Sequence, residues 1–300
     1  MSVTDFSKGV EQMVDPMQVG KTHHLQTKLK KLPVCLQRKI VLSSAKKASK
    51  MGFVVEPYAF FLFYEVDNVA KLQNDLPDGF VPMLSKAFTG DEEKYYGIVS
   101  IFRVHTGAFW GARAEFYTIA KNIETNLMSW VILDYLSDTI SYDEKYGLRS
   151  PNVKKAVVTT TCEGDFLAEM KSEKEKILVE ASLKHPEMRK LDEKLWIDGN
   201  TSIAYSKELG GDDGDLFSLT FLPEEMKEAW DIPLKDVKVA EVKAFPEIFK
   251  GKLSKAVCFP FAQHMLSDSP GTNTHYGSKA ALRAAAEKVN FSKLKSFGEK

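Results

Sequence analysis

The sequence predicts an α+β fold, mostly antiparallel β, in which short strands build a closed or nearly closed structure with helices at both ends. Three observations carry that reading. Apolar and aromatic runs of strand length recur from Tyr58 onward, bounded by Pro, Gly, Asp and Asn. Several of these runs are joined by connections short enough for hairpins. Helical patterns fall at the ends and in a few connections, as in a β-structure decorated by helices. One β-rich domain over residues 56–300, with a helical, basic N-terminal extension over 1–55, is more economical than two domains.

Taken in order, Pro33 marks a break before a helix expected from about Cys35 to Lys50. Ala59-Phe-Phe-Leu-Phe-Tyr-Glu-Val66 is aromatic and apolar between Glu56-Pro57 and Asp67-Asn68, and reads as a buried strand. Asn68–Asp75 suits a short helix that ends in the turn residues of Leu76-Pro-Asp-Gly79. Tyr96–Val104, Ala114–Lys121 and Asn126–Asp134 follow as strands. Val157–Cys162, Phe166–Met170 and Ile177–Leu183 make a meander through the turns Glu163-Gly-Asp165 and Ser172–Lys176. Ser202–Tyr205, Leu216–Leu222 and Val237–Lys243 read as later strands, while Glu224–Trp230 and Ala280–Lys288 read as helical.

Composition excludes several function classes. The 44% apolar and 27% charged content belongs to a folded chain rather than a disordered one. Forty-one basic residues balance forty-one acidic ones, so no global field draws the chain to nucleic acid. Cys35, Cys162 and Cys258 are too few and too scattered for a disulfide framework or a Cys-rich zinc site, which points to a reducing compartment. Without an apolar stretch near 20 residues or a secretory pattern at the N-terminus, the expected location is cytoplasmic and no membrane span is expected. One local imbalance remains. Between Asp15 and Glu56 there is no acid, while Lys21 to Lys50 carries nine Lys or Arg plus His23 and His24. A solvated helix packed on the domain is the reading taken, with a membrane- or RNA-binding arm as the alternative; the aromatics that stack on bases are missing from Val14 to Met51.

The common catalytic signatures are missing. Tyr276-Gly-Ser-Lys279 is one residue too short for the Tyr/Lys pair of short-chain dehydrogenases. The acidic, Gly-rich Gly210–Asp215 fits no EF-hand spacing and reads as a surface turn. No histidine stands at metal-ligand spacing from a second ligand, so no metal is expected.

One ordered set of motifs does stand out. Tyr58–Met83 runs as an aromatic strand, Asp67, a short helix and Leu76-Pro-Asp-Gly-Phe-Val-Pro82; then come Thr106-Gly107, Gly111-Ala-Arg-Ala-Glu115, Met128-Ser-Trp-Val-Ile-Leu-Asp134 and Asp143-Glu-Lys-Tyr-Gly-Leu148. In order and spacing this resembles the acetoacetate decarboxylase superfamily over roughly residues 56–185. The resemblance implies a β-barrel or cone around a central cavity, a lyase acting on a small oxo-acid, and no cofactor. The family's chemistry uses a lysine, made neutral by its surroundings, that forms a Schiff base and draws electrons from the leaving carboxylate.

Carried over by position, the resemblance places Glu115 inside the cavity as a catalytic carboxylate. Arg113, two residues away and on the same strand face, would help hold a substrate, as would Arg149 and the pair Arg103 and His105 on the preceding strand. The segment matching the family's Pro-Lys-Lys reads Leu148-Arg-Ser-Pro-Asn152, so the lysine pair is absent at that place, and Arg149 stays protonated and cannot replace it. Lys154 and Lys155 are then the expected amines, brought inward by a bulge over Ser150–Val153, with Lys145 on the other side. The family's N-terminal arginine falls near Pro57, so that anchor is missing too.

Two function classes follow. One is a Schiff-base lyase on a small oxo-acid. The other is a non-catalytic binding protein of the same barrel, taking a small organic acid or an apolar molecule with a polar end, oriented by Arg113, Arg149 and Glu115. The expected partner in either case is a small molecule, with no nucleic acid, and a homo-oligomer stays open. Whether a lysine enters the cavity separates the two; a third possibility is a repurposed enzyme with acid–base chemistry at Glu115 and no Schiff base.

Overall fold

The computed structural model describes residues 2–45, 50–143, 145–173, 175–211, 217–243, 249, 251–268 and 275–294. Of the segments singled out above, 46–49 at the end of the expected helix, the acidic 212–215 and Leu216 lie outside the described residues.

Three helices come first: α1 (Val3–Gln12), α2 (Pro16–Leu29) and α3 (Val34–Ala45). Ser2 and Asp5 exchange side-chain and backbone hydrogen bonds as a capping box for α1, and Asp15 caps α2 with Pro16 in the first helical position. The chain then enters β1 (Lys50–Val55) and β2 (Ala59–Glu65), crosses α4 (Val69–Asp75), and continues through β3 (Phe80–Pro82), β4 (Tyr96–Thr106), β5 (Trp110–Asn122) and β6 (Met128–Ser137). Short strands β7 (Ser141–Asp143) and β8 (Gly147–Arg149) lead to β9 (Lys155–Thr160), β10 (Asp165–Lys171) and β11 (Lys176–Ser182). The remainder is β12 (Glu187–Lys190), β13 (Ile203–Tyr205), β14 (Leu219–Thr220), β15 (Glu228–Asp231), β16 (Val237–Lys243), β17 (Leu253–Phe259), β18 (Gln263–Asp268) and α5 (Lys279–Glu287).

The main sheet turns on β4. Along one edge, its first half pairs with β2 and its last three residues with β1; along the other edge it pairs with β5. From β2 the sheet runs outward through β17, β15 and β12, and from β1 through β18 to β14. From β5 it runs to β6 and then to β13, which is parallel to β6. The fold is therefore α+β and mostly antiparallel.

Two expectations need correction. The helical extension over 1–55 ends by Ala45, because Lys50–Val55 is β1, between β4 and β18 in the sheet; its Phe53-Val-Val favours a pleated surface. Glu224–Trp230 is not a helix: a turn of 3-10 helix at Pro223–Met226 gives way to β15, which pairs with β12 and β17. The ladders of named strands run from the two-residue β14 through β18, β1, β4, β5 and β6 to β13, and an isolated bridge joins the two ends of that path. There Ile203 N donates to Phe217 O at 2.8 Å and Phe217 N to Ile203 O at 2.9 Å.

A second sheet, β16-β11-β10-β9, covers the outer face of the main one. Alternation along β10 and β11 turns Phe166, Ala168, Met170, Ile177, Val179 and Ala181 inward, against Phe60, Leu62, Val99, Ile101, Ala114 and Phe116. Phe60 and Phe166 stack at 4.6 Å and 14°.

On the other side, α1 and α5 pack on β1 and β18 through Phe6, Val10, Leu266 and Ala286. His264 of β18 ties α1 in place. Its Nδ1 lies 3.3 Å from Glu225 Oε1 and its Nε2 3.3 Å from Glu11 Oε1. Burial works against the imidazolium, but the two carboxylates outweigh it and raise the His264 pKa above the ordinary value. A raised histidine stabilises the fold fully below the unfolded value of about 6.5, and that contribution is lost as pH climbs through the raised folded value. The stability lead of the protein over His264→Gln is expected to shrink across that interval in thermal melts; an unchanged lead would mean the ring is neutral throughout.

Candidate functional site

A cavity of about 380 Å³ lies inside the curve of the main sheet. Its walls are largely apolar, with Phe53 of β1, Phe102 of β4 and Trp130 of β6, and Trp196 from a single π-helical turn at Lys194–Asp198. Helices α2 and α3 form a further wall, through Thr22, Leu25, Gln26, Leu29, Ile40 and Val41.

The polar end is built on β5. Alternation sends Ala112, Ala114 and Phe116 into the packing between the sheets, and Arg113, Glu115 and Tyr117 into the cavity. Arg113 Nε and Nη2 both reach Glu115 Oε1 at 2.8 Å, and Nη1 donates to Ser141 Oγ at 3.1 Å. The guanidinium also stands over the Tyr135 ring at 4.8 Å. The Tyr117 hydroxyl donates to the second oxygen, Glu115 Oε2. One carboxylate thus holds a cation and a phenol together.

Electrostatics fix the protonation of both partners. Burial lowers the Arg113 pKa, yet Glu115 more than compensates, and the group stays a guanidinium. Burial first, then the charge of Glu115, push Tyr117 well above a normal phenol, so it remains a donor. Tyr205, buried in the same wall, is also pushed up by burial. Ser100, Glu115 and Tyr135 form one rung across β4, β5 and β6. Ser100 Oγ and the Tyr135 hydroxyl are buried and make no well-formed hydrogen bond; Ser100 lies beside the Tyr117 hydroxyl, and Tyr135 beside Ser141 and Arg149. Buried polar atoms left in that condition cost about 1–3 kcal/mol each, and an occupant with a donor and an acceptor relieves it.

Of the residues named from sequence, the structure brings Arg113 and Glu115 together in the cavity. The others stand elsewhere. Arg103 and His105 do share a face of β4, but it is the face opposite Phe102, and both meet Glu56 outside the cavity. Arg149 is exposed, lies over Tyr146 and reaches Asp143 Oδ2 at 3.2 Å from outside. Lys154 is exposed and pairs with Glu173 at 2.9 Å; Lys155 is exposed on β9, and Lys145 in the turn between β7 and β8. No bulge over Ser150–Val153 turns these amines inward. Asn152 is pinned to β6, with Ser137 N donating to its Oδ1 and its Nδ2 donating to Tyr135 O, and from there the chain leaves for the outer sheet. Among the described residues no lysine lines the cavity, and no group of three His, Cys, Asp or Glu is placed to hold a metal.

Sequence reasoning missed Tyr117, Ser100, Tyr135 and Ser141. Tyr117 was available, since it continues the two-residue step of Arg113 and Glu115. The rest depend on register between strands, which one sequence does not display. The reading of Arg113 as a free carboxylate clamp also changes, because Glu115 already occupies its Nε–Nη2 edge.

No family model matches the chain, and no curated protein matches it. Solved structures do. Acetoacetate decarboxylase from Legionella pneumophila is 15% identical, with 74% of this chain and 86% of that one covered and a TM-score of 0.48. An acetoacetate decarboxylase-like enzyme from Sphingomonas wittichii is 10% identical, with 76% and 94% covered and a TM-score of 0.43. The enduracididine biosynthesis enzyme MppR with HEPES bound is 9% identical, with 73% and 85% covered and a TM-score of 0.43. The solved structures to which this chain is similar include acetoacetate decarboxylase and an acetoacetate decarboxylase-like enzyme.

Proposed function

We propose that this chain is an acetoacetate decarboxylase-like protein whose strands curve as a cone around the cavity, and that the cavity binds a small organic molecule without a covalent step. The occupant has an apolar body and a neutral polar end, such as a hydroxyl, a carbonyl or a protonated acid. One observation carries this reading: Arg113 and Glu115 neutralise each other at the polar end, beside the buried hydroxyls of Ser100 and Tyr135, which make no well-formed hydrogen bond. A charged carboxylate brought there adds an uncompensated charge to a desolvated site, whereas a neutral head takes hydrogen bonds from groups already present. The cavity's size is that of ordinary small-molecule sites, roughly 300–1,000 Å³.

Trp130 and Trp196 line the cavity and report on its occupant. Medium-chain methyl ketones and alcohols are expected to change tryptophan fluorescence saturably at neutral pH, and the anions of short oxo-acids to do so far more weakly. Borohydride reduction in the presence of acetoacetate or pyruvate is expected to leave the protein mass unchanged. A reduced adduct on any lysine would replace this reading with the Schiff-base lyase. Equal binding of ketone and oxo-acid anion would remove the requirement for a neutral head.

A further inference from the structure

The two helices that wall the cavity meet at a tip of unusual composition. From Lys31 to Leu36, six consecutive residues are exposed. Leu32, Val34 and Leu36 are 37%, 39% and 45% exposed, and the Cys35 thiol between them is free and exposed. A run of aliphatic side chains held in water is left uncovered by the rest of the fold.

The tip is nevertheless held in shape. Gln37 is buried, and its Nε2 donates to Lys30 O at 3.2 Å and to Leu32 O at 2.6 Å. Its Oε1 accepts from Leu148 N at 2.7 Å, which seats the tip on β8. Gly147 makes room for that contact: it has φ +73°, and a Cβ there would come within 2.6 Å of Gln37 Oε1. The apolar tip is thus preorganised, and its exposure is a property of the fold.

Cations flank it. Exposed Lys28 and Lys31 precede the apolar residues and exposed Lys39 follows them, while Lys30 is half-buried and donates to Ser150 Oγ; the sequence has no acid between Asp15 and Glu56. An aliphatic tip flanked in the sequence by exposed lysines is complementary to an anionic lipid surface, where the apolar groups enter the acyl boundary and the cations meet headgroups. Single-stranded nucleic acid fits less well, since no aromatic residue lies between Met17 and Gly52 to stack on a base.

We propose that the α2–α3 tip docks this protein onto anionic phospholipid surfaces. Docking brings one wall of the cavity to the place where apolar small molecules are dissolved. The docking itself does not depend on what the cavity binds, so it stands or falls separately from the function proposed above.

The test is flotation of the full chain with vesicles of phosphatidylcholine alone and of phosphatidylcholine with phosphatidylserine. Binding is expected only to the anionic vesicles, falling as salt is raised past the point where the Debye length is about 8 Å. Leu32→Ser/Leu36→Ser alters exposed side chains, so the fold is retained, as circular dichroism will check. It is expected to weaken vesicle binding about tenfold or more. A polarity-sensitive dye on Cys35, in a Cys162→Ser background, is expected to shift to the blue with anionic vesicles alone. Equal binding to neutral vesicles, or anionic binding untouched by the double substitution, overturns the proposal. So does an absence of vesicle binding, whether the chain instead binds homopolymeric RNA or self-associates through the tip in light scattering.

Discussion

Glu115→Ala is expected to destabilise the protein by about 3–5 kcal/mol, the usual cost of leaving a buried charge without its partner. Arg113 is buried and cannot shed its proton, so the substitution strands a guanidinium among Phe109, Tyr135 and Tyr117. The Tyr117 hydroxyl loses its acceptor in the same step. For a chain of this size the melting temperature is expected to fall on the order of 10 °C. Arg113→Met/Glu115→Leu removes both charges at similar volume and is expected to recover most of the loss while abolishing ligand-dependent fluorescence. Comparing the three proteins in urea separates stability from function. If Glu115→Ala costs under about 1 kcal/mol, the pair is solvated and the cavity's polar end is not a desolvated site.

Phe166→Ala is expected to cost about 3–5 kcal/mol, as a large aromatic lost from a sealed core. Phe166 is fully buried and stacks on Phe60, at the junction of the two sheets. The outer sheet has one buried face, and Phe166 is its largest buried side chain. Leu167→Ala, one residue along and half-buried on the other face, is expected to cost about 1 kcal/mol or less. Proteolysis at the β9–β10 turn should quicken for the first variant alone. Similar costs for the two would mean that the outer sheet is not held through the Phe60–Phe166 stack.

The strands legible in the sequence were those whose composition is locally decisive. Ala59–Glu65, Tyr96–Thr106 and Trp110–Asn122 are rich in aromatic and β-branched residues and bounded by turns; the hairpin at Glu163-Gly164-Asp165 announces itself through a glycine, found at φ +84°. What stayed hidden lacked a local signal. β17 and β18 are ordinary sequences that become strands because β2 and β1 wait beside them, and Glu228–Asp231 looks helical until β12 and β17 claim it. The site divides in the same way. Arg113 and Glu115 share a face by spacing alone. That Lys154 and Lys155 follow the chain out to the second sheet is decided by Asn152 and its bonds to β6, a tertiary fact.

The pairing of β1 with β18 has a consequence for how the protein is made. Lys50 and Asp268, bonded at 2.7 Å in the finished molecule, are 218 residues apart in the chain. At about 5–20 residues per second, a ribosome needs roughly 10–40 s to traverse that interval. During it, Phe53 and Val55 of β1 and the apolar face of α1 have no β18 to cover them. The nascent chain can assemble β4, β5 and β6 from neighbouring sequence, but the cavity cannot take its final shape until β18 has been made. The β1 edge is therefore made long before it is secured, and it is there that a nascent-chain chaperone would find exposed apolar surface.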